Sequence, residues 1–302
     1  MSAQTGIHGE HHPAARFLMI RVTPQGKSAL KEQITAFYAK RHVLARTQPY
    51  AGMATTLAFG KALWQELYTE GPEHFLDMPV VEGEFPHPAV PADLMVYIAS
   101  TRVDLCFELA DALVSGWEGI TVVDECSAFR FHERRDLTGF IDGIENPVEG
   151  EESDAVTLLP ESTGACQKGS FVFAQRFVHD LKKWQSYSVE EQQKVMGRTK
   201  WEGEELDDAS KPATSHIARV DVGTDILRFS LPYGSAGGEK GLFFFSFTND
   251  LAVIDEMLKR MYGLTEDGLK DRLLEVTKAV GGNYFFAPPQ DLLDELFDLE
   301  DI

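Results

Sequence analysis

The sequence has few cysteines, no cluster of basic residues and no long apolar run. Its three cysteines, Cys106, Cys126 and Cys166, are widely spaced, and this pattern is neither a disulfide framework nor a CxxC metal motif. We therefore expect a reducing, cytoplasmic environment. The longest purely apolar runs, such as LFFF, are far too short to cross a bilayer. The polar stretch MSAQTGIHGEHHPAA also predicts no secretory signal.

Positive charge is scarce as well. The chain has 28 Lys and Arg against 48 Asp and Glu, so its net charge is −20. A protein that binds nucleic acid usually presents a basic face to the phosphates. The charge therefore argues against nucleic acid and anionic membranes as partners, and it favours good solubility. With 302 residues, of which 43% are hydrophobic, the chain can bury a core and is predicted to form about two domains.

The stretch GFIDGIENP (139–147) contains the first candidate functional residue, Asp142. An Asp-Gly pair between apolar residues is typical of a hairpin turn. Here, however, Glu-Asn-Pro and an acidic run follow instead of a second strand. Two interpretations stay open on these residues alone. Asp142 either faces solvent in a tight turn, or the flanking glycines let the backbone approach another group closely.

Hydrophobic periodicity in residues 16–131 predicts a ferredoxin-like unit. Helical patterns follow the first and third predicted strands, and a short one follows the second. The order β-α-β-(α)-β-α-β is that of an antiparallel sheet with helices on one face. The first long helix is expected to bury one stripe of side chains, which consists of Leu30, Ile34, Phe37 and Tyr38. The predicted strands are 16–22, 53–60, 92–100 and 120–131.

The second half has similar element content without a detectable sequence repeat. Residues 133–168 are acidic and turn-rich and predict a long loop. Ser188 is the expected N-cap of a helix, because Glu191 follows three residues later. The remaining elements are predicted as strands at 169–180, 216–220, 226–234, 241–250 and 283–289, and as helices at 181–188, 188–197, 251–263 and 269–280.

The predicted fold class is therefore α+β, with two ferredoxin-like domains at residues 14–132 and 133–302. Residues 1–13 are expected to form a flexible N-terminus. The segment HGEHHP (8–13) within it is interpreted as part of that tail rather than as a metal site. The acidic run from Glu145 to Asp154 is interpreted as a solvated loop.

His216 and Arg228 are candidates because of their surroundings. His216 begins the predicted strand 216–220, where it is either a satisfied histidine or a ligand or proton shuttle. Arg228 lies in the apolar strand ILRFSLPYG (226–234). Burying an arginine there requires a carboxylate or an anionic ligand, unless the residue lies on an edge and reaches solvent.

The strand that contains GLFFFSF is apolar on both faces. Phe243, Phe245 and Phe247 alternate with Leu242 and Phe244. This pattern predicts a strand buried between two layers. One face could alternatively line a flat cofactor, and periodicity alone does not distinguish the two.

Five motifs then occur in one order: GFIDG (139–143), GRTK (197–200), SHIAR (215–219), ILRFSLPYG (226–234) and DRLLEVT (271–277). In this combination the chain resembles the dye-decolorizing peroxidases, specifically their short bacterial cytoplasmic subgroup. The resemblance extends from about residue 14 to 290. It implies two ferredoxin-like domains, with one haem b per chain in the C-terminal domain, and a homodimer or larger homo-oligomer.

The resemblance also implies roles for individual residues. His216 matches the proximal ligand of the haem iron, Asp142 the distal acid–base carboxylate, and Arg228 the distal arginine. Asp271 matches the carboxylate that accepts the N–H of the proximal histidine, and Arg198 an arginine that pairs with a haem propionate. Further residues expected to contact the cofactor are Gly143, Ile144, Glu145, Leu242 and Phe244. Some family members carry Asn two residues after the distal arginine, whereas this chain has Ser230.

The implied reaction is the reduction of H2O2 through a high-valent iron-oxo intermediate, coupled to oxidation of dyes, phenols and similar one-electron donors. One carboxylate can take a proton from the peroxide and return it to the leaving oxygen. An arginine can stabilise the negative charge that develops as the O–O bond breaks. A catalytic aspartate also predicts an acidic activity optimum. The candidates for carrying electrons to the surface are Trp184, Tyr187, Trp201 and Tyr233, with simple packing as the alternative for each.

Two other functional classes stay open from the sequence. The chain could be a haem-handling protein for storage or iron release, in which peroxidase activity is incidental. It could instead be an acidic two-domain interaction module without a cofactor. The variants Asp142→Asn and Arg228→Leu distinguish the first of these from an enzyme, and a missing Soret band would favour the second.

Overall fold

The N-terminal half forms an antiparallel sheet that carries helices on one face. The structure is a computed structural model that describes residues 1–8 and 12–300. In chain order the elements are Ala14–Val22 (β1), Pro24–Ser28 (α1), Leu30–Thr47 (α2), Ala54–Phe59 (β2), Lys61–Leu67 (α3), Leu94–Ser100 (β3), Val103–Val114 (α4) and Ile120–Phe129 (β4). The sheet order is β2-β3-β1-β4, with every pairing antiparallel.

The C-terminal half has the same strand topology. Its elements are Glu151–Thr157 (α5), Ser170–His179 (β5), Leu181–Ser186 (α6), Val189–Met196 (α7), His216–Val220 (α8), Leu227–Arg228 (β6), Leu231–Gly234 (β7), Lys240–Thr248 (β8), Leu251–Met261 (α9), Thr277–Ala287 (β9) and Gln290–Phe297 (α10). In addition, 3₁₀ turns span Glu161–Cys166 and Arg272–Glu275. The sheet places β5 between β9 and β8, and β8 also pairs with β6 and β7. The predicted fold class, two ferredoxin-like units, is confirmed.

The two sheets join into a closed ring of strands. One junction is the pairing of β2 with β9 at Phe59 and Phe286, and the other is the pairing of β4 with β7 at Ala128 and Tyr233. Because β5 pairs with both β8 and β9, the ring is complete. Every strand of the ring therefore has one face toward the interior and one toward the surrounding helices.

Closure explains why several strands are apolar on both faces. Inside the ring, aromatic side chains from both halves stack on one another; the rings of Phe17 and Phe243 lie 4.2 Å apart and nearly parallel. Outside it, a second core lies under helices that include α2, α4, α9 and α10. The α2 stripe predicted from periodicity is buried in that layer. Burial of large aromatic side chains on this scale is a dominant source of stability.

Four local predictions were wrong, and the structure gives a physical reason for three of them. Residues 216–220 form helix α8 rather than a strand, because the Ser215 side chain caps the helix by accepting from Ala218 N. Residues 226–234 are interrupted between β6 and β7, where Ser230 Oγ accepts a hydrogen bond from Phe245 N. The predicted loop 133–168 contains α5 and a 3₁₀ turn.

The fourth error concerns residues 269–280, which were predicted to be helical. Only Arg272–Glu275 form a 3₁₀ turn, and β9 begins at Thr277. Gly282 lies so close to β5 that an added Cβ would approach Ala174 O at 2.6 Å. Such close backbone contact favours a strand that contains glycine over a helix. The Ser188 cap was predicted correctly, since its side chain accepts from Glu191 N.

The first residues of the chain contact the ring closely, which differs from the expected flexible N-terminus. Gln4 is 1% exposed and donates to the carbonyl oxygens of Leu57 and Pro288. Ile7 is fully buried, and His8 pairs with Asp154 at 3.2 Å. Within HGEHHP, residues 9–11 lie outside the described residues. Among the residues that are described, no helix has the length and apolar character needed to cross a membrane.

Candidate active site

A cavity of about 300 Å³ lies in the C-terminal half, between the outer face of its sheet and helices α8 and α9. This volume is at the lower end of the ~300–1,000 Å³ that is typical of small-molecule sites. The sheet contributes Phe173, Phe177, Leu242 and Phe244, and the helices contribute Ile217, Met257, Leu258 and Met261. The predicted faces of GLFFFSF are correct: Phe243 and Phe245 face the ring interior, and Leu242 and Phe244 face the cavity.

His216 reaches the cavity from the first position of α8. Its Nδ1 lies 2.6 Å from Asp271 Oδ2, and the Asp271 side chain has no exposed surface. Because an ionised carboxylate only accepts hydrogen bonds, Nδ1 is the donor and Nε2 is the nitrogen that keeps a lone pair. Asp271 is held in turn by Leu273 N at 2.8 Å. A buried carboxylate behind a histidine is the arrangement that orients a metal-binding imidazole.

Asp142 and Arg228 face the same cavity. Arg228 Nη1 lies 3.9 Å from Asp142 Oδ1, which also accepts from Gly143 N at 2.7 Å. Gly143 has φ of 73°, in the left-handed region that glycine adopts readily. The loop therefore turns directly after Asp142 and leaves its carboxylate beside the arginine. This is a carboxylate–guanidinium pair at the wall of an apolar cavity.

Asn146 positions Arg228 and was missed by the sequence reasoning. Its Oδ1 accepts from Arg228 N at 3.2 Å, and its Nδ2 donates to Arg228 O at 2.8 Å. The backbone N–H and C=O of Arg228 are thus both held by one side chain from the GFIDGIENP loop. The sequence did contain a local sign of this residue, because the asparagine belongs to the Asn-Pro pair that argued against a hairpin.

Arg198 and Glu145 form an ion pair at the cavity wall. Arg198 Nη1 also donates to Gly203 O at 2.8 Å. Burial lowers the pKa of Arg198, and this effect is opposed by Glu205. Glu145, which was interpreted both as part of a solvated run and as a cofactor contact, lines the cavity beside Ile144. A positive charge at this position suits an acidic substituent of a bound group.

Asp136 and His179 form a second buried carboxylate–histidine pair in the cavity wall, which the sequence did not reveal. Asp136 accepts from His179 Nε2 at 3.3 Å, and His179 Nδ1 lies 2.8 Å from Thr277 Oγ1. Burial alone would raise the pKa of Asp136, but His179 and hydrogen bonds from Thr138 and the backbone outweigh it and lower the pKa. The pair ties the loop before GFIDG to the ends of β5 and β9. No local pattern connects residues so far apart in the chain.

The residues present fit the haem that the resemblance implies. The cavity offers a histidine nitrogen, broad apolar walls and a cation at one side. Within residues 1–8 and 12–300, no group of three or more His, Cys, Asp or Glu side chains is placed to hold a metal ion. A flat cofactor that brings most of its own metal ligands suits this arrangement better than a bare metal ion does.

The four aromatic residues that are candidates for carrying electrons to the surface differ in their burial and contacts. Trp184 is 2% exposed, and its ring centroid lies 6.0 Å from the rings of Phe140 and Tyr187. Phe140 lines the cavity. Tyr233 is buried beside Arg176 and Glu239.

Trp201 is 62% exposed and lies under two cations, Lys200 and Arg135. Positive charge at that position disfavours oxidation of the indole.

Comparison with known families gives the chain its assignment. Residues 4–130 match the N-terminal domain of Dyp-type peroxidases, and residues 133–292 match the C-terminal domain. The chain belongs to the Dyp-type peroxidase family. It is therefore a peroxidase, and the resemblance of its five motifs to the dye-decolorizing peroxidase family is confirmed.

Relatives of known name agree with this assignment. A dye-decolorizing peroxidase of Mycobacterium tuberculosis is 36% identical over 93% of this chain and 87% of its own length. The structure of a dye-decolorizing protein from V. cholerae is 38% identical, with a TM-score of 0.90 over 97% of this chain and 99% of that one. A DypB variant from Rhodococcus jostii RHA1, solved in complex with heme, is 32% identical, with a TM-score of 0.89 over 97% and 98%.

Proposed function

We propose that this chain binds haem b, one per chain, and uses hydrogen peroxide to oxidise dyes, phenols and similar one-electron donors. The proposal rests on one observation: two pairs of polar side chains line the same apolar cavity. His216 with Asp271 comes from the helical side, and Asp142 with Arg228 comes from the loop and the sheet. Family membership and a relative solved with heme support the same assignment.

Each polar residue has a distinct task in this proposal. When bound, the haem supplies the iron that exchanges electrons with peroxide and donor. His216 Nε2 is the ligand to that iron. Asp271 keeps the imidazole oriented and rich in electrons by accepting a hydrogen bond from Nδ1. Asp142 takes a proton from incoming peroxide and returns it to the departing oxygen. Arg228 stabilises the negative charge that develops on the peroxide as its O–O bond breaks.

Arg198 is proposed to pair with a haem propionate. Its present partner, Glu145, has a side chain that is 57% exposed, so the carboxylate can move into solvent when an acidic group of the cofactor replaces it. Leu242, Phe244 and Ile144 then supply apolar contact to the macrocycle. Ser230 is engaged with Phe245 N and thus acts on the strand beside Arg228.

The assignment also carries expectations about environment and assembly. All three cysteines are free and buried, and burial raises the pKa of Cys106 to about 12 and that of Cys166 to about 11. Thiols with such values stay protonated and unreactive. A cytoplasmic homo-oligomer that needs neither nucleic acid nor a membrane remains our proposal.

The direct test is a visible absorbance spectrum of the purified protein, with haem supplied during expression or added afterwards. We expect a Soret band, a changed spectrum after one equivalent of hydrogen peroxide, and recovery of the first spectrum after a phenolic donor is added. A protein that takes up no haem would contradict the proposal and favour the interaction module. Haem uptake without a peroxide response would favour haem handling.

We further propose that electrons from bulky donors enter through Tyr187. Its Oη donates to Glu275 Oε2 at 3.1 Å, and its ring contacts Trp184, which contacts Phe140 at the cavity wall. Partial burial and then Glu275 raise the pKa of Tyr187, so the phenol is protonated at rest. When Tyr187 is oxidised, its proton can pass to Glu275. A donor then supplies one electron to the radical, and the proton returns from Glu275.

Replacing Tyr187 with Phe should therefore lower turnover of a bulky anthraquinone dye at least several-fold. The reaction with peroxide, and oxidation of small phenols at the cavity, should remain at the level of the unmodified enzyme. Steady-state rates with both donors measure this difference, and Tyr50→Phe is the matched control because Tyr50 is 94% exposed in a distant loop. Equal rates for the dye in Tyr187→Phe and the control would exclude this route.

A further inference from the structure

Helix α8 carries a second polar anchor, Arg219, three residues after His216. Arg219 is 3% exposed, and burying an arginine is costly unless its charge is paired. Residues three apart in a helix are neighbours on its surface. The histidine and the arginine can therefore contact the same adjoining segment of the chain.

The guanidinium group of Arg219 is bonded through all three of its nitrogens. Nη1 and Nη2 donate to the two carboxylate oxygens of Asp267 at 2.7 and 3.2 Å, and Nη2 also donates to Thr265 Oγ1 at 3.1 Å. Nε donates to the backbone oxygen of Arg260 at 2.9 Å. A forked arrangement of this kind fixes the orientation of the side chain as well as neutralising its charge.

Arg260 returns the contact from α9. Its Nη2 donates to Ala218 O at 2.7 Å, and its Nη1 donates to Asp221 O. These carbonyl groups lie at the C-terminal end of α8, where the last carbonyls of a helix have no partner within the helix. The side chain of each arginine thus binds the backbone at the end of the other helix, and α8 is tied to α9 from both sides.

Asp267 belongs to the same loop as Asp271. This loop follows α9 and is closed at its base by Asp271 N, which donates to Met261 O at 2.8 Å. Farther along the loop, Asp267 Oδ1 accepts from Leu269 N at 3.1 Å. The hydrogen bond from Arg219 lowers the pKa of Asp267, so the carboxylate stays ionised.

Helix α8 and this loop are therefore joined at two points. His216 Nδ1 is bonded to Asp271 at 2.6 Å, and Arg219 is bonded to Asp267, four residues earlier in the loop. A single bond would let the helix pivot about it. Two bonds from one helix to one loop fix the direction from which the imidazole approaches the buried carboxylate.

We propose that Arg219 and Asp267 are positioning residues for the haem ligand: they hold α8 so that His216 keeps its short hydrogen bond to Asp271. This inference rests on the proposed role of His216. Outer partners of this kind set the orientation and basicity of a metal-binding imidazole. Arg219 and Asp267 do not line the cavity, so they act through the histidine rather than on peroxide or donor.

The sharpest test uses Asp267→Asn in the haem-loaded protein. The Asp267 side chain is 46% exposed and the amide has nearly the same shape, so the fold should persist while the charge that orients Arg219 is lost. The iron–histidine stretching band in the resonance Raman spectrum of the ferrous protein reports how strongly the ligand is hydrogen-bonded. We expect this band to move to lower frequency, in the same direction as in Asp271→Asn but by less.

Variants of Arg219 grade the effect. Arg219→Lys keeps the charge and loses the fork, whereas Arg219→Gln loses both. The Fe(III)/Fe(II) midpoint potential should become more positive in both variants and more so in Arg219→Gln, because a weaker hydrogen bond to Asp271 leaves the imidazole less rich in electrons. The haem affinity of Arg219→Gln should fall about tenfold, at the low end of the range for loss of an outer partner.

Asp124→Asn is the matched control. It breaks another Arg–Asp pair, in which Arg176 Nε donates to Asp124 Oδ2 at 2.8 Å, and neither of these two residues lines the cavity. The control should leave the Raman band and the midpoint potential as they are in the unmodified protein.

The outcomes distinguish this inference from the proposed function. If Asp271→Asn shifts the band and the potential while Asp267→Asn matches the control, the positioning role is overturned and the proposed ligand stands. If neither variant shifts the band, His216 is not the ligand, and both proposals are overturned. Equal shifts in Asp267→Asn and in the control would mean that general loss of stability causes them, which also overturns the positioning role.

Discussion

Asp142→Asn should slow the reaction with hydrogen peroxide by about 10²- to 10⁴-fold, the contribution expected of a positioned proton-transfer group. The amide has nearly the same shape and can still accept from Gly143 N, which now holds Asp142 Oδ1 at 2.7 Å. It cannot take up the peroxide proton. The loss is therefore expected in the rate of peroxide reduction, while haem content stays unchanged.

Stopped-flow spectra of the haem-loaded variant with peroxide measure this rate directly, and the Soret absorbance per chain gives the haem content. Asp208→Asn is the matched control, because the Asp208 side chain is fully exposed. If Asp142→Asn reacts with peroxide as fast as the control, the carboxylate has no role in proton transfer. The function then shifts toward a haem-handling protein.

Arg228→Leu should lower the same rate by about 10²- to 10³-fold, the usual cost of removing one group that stabilises developing negative charge. Asn146 holds the backbone of this residue through both its N–H and its carbonyl, so the strand should keep its place. The leucine loses the charge 3.9 Å from Asp142. The variant is expected to bind haem and to fail in peroxide reduction.

Single and double variants together test whether the two residues act as a unit. We expect Asp142→Asn with Arg228→Leu to cost less than the product of the single losses, because each group depends on the other. The control is Arg102→Leu, whose partner is the neighbouring Asp104 on an exposed surface. Strictly multiplicative losses would mean that the two side chains work independently.

The sequence was sufficient for the fold class, and its motifs pointed to polar residues that the structure brings together. Strand alternation separated the two faces of GLFFFSF correctly, because alternation is a property of any extended strand. Motif order identified Asp142, His216 and Arg228, and the structure brings all three to one cavity. Short segments were less predictable. Five residues such as HIARV suit either a strand or a helix, and the Ser215 cap decides the outcome.

The contacts that hold the site together were not predictable in the same way. His179 and Asp136 come from a strand end and a loop with no shared spacing, and they meet because β5 and the loop before GFIDG converge in three dimensions. Asn146 was visible as a turn residue, yet its bonds to Arg228 depend on the placement of β6. Long-range pairs of this kind are set by tertiary structure rather than by local pattern.

The closed ring of strands limits how copies of this chain can associate. An open sheet offers a row of unpaired N–H and C=O groups to which another chain can add a strand. In the described ranges, the outer strands of each half are joined to the other half, at Phe59–Phe286 and Ala128–Tyr233. Each half thus caps the edges of its neighbour. An assembly of several copies is left with helices, loops and side chains as its contact surfaces, and continuous intermolecular sheets are disfavoured.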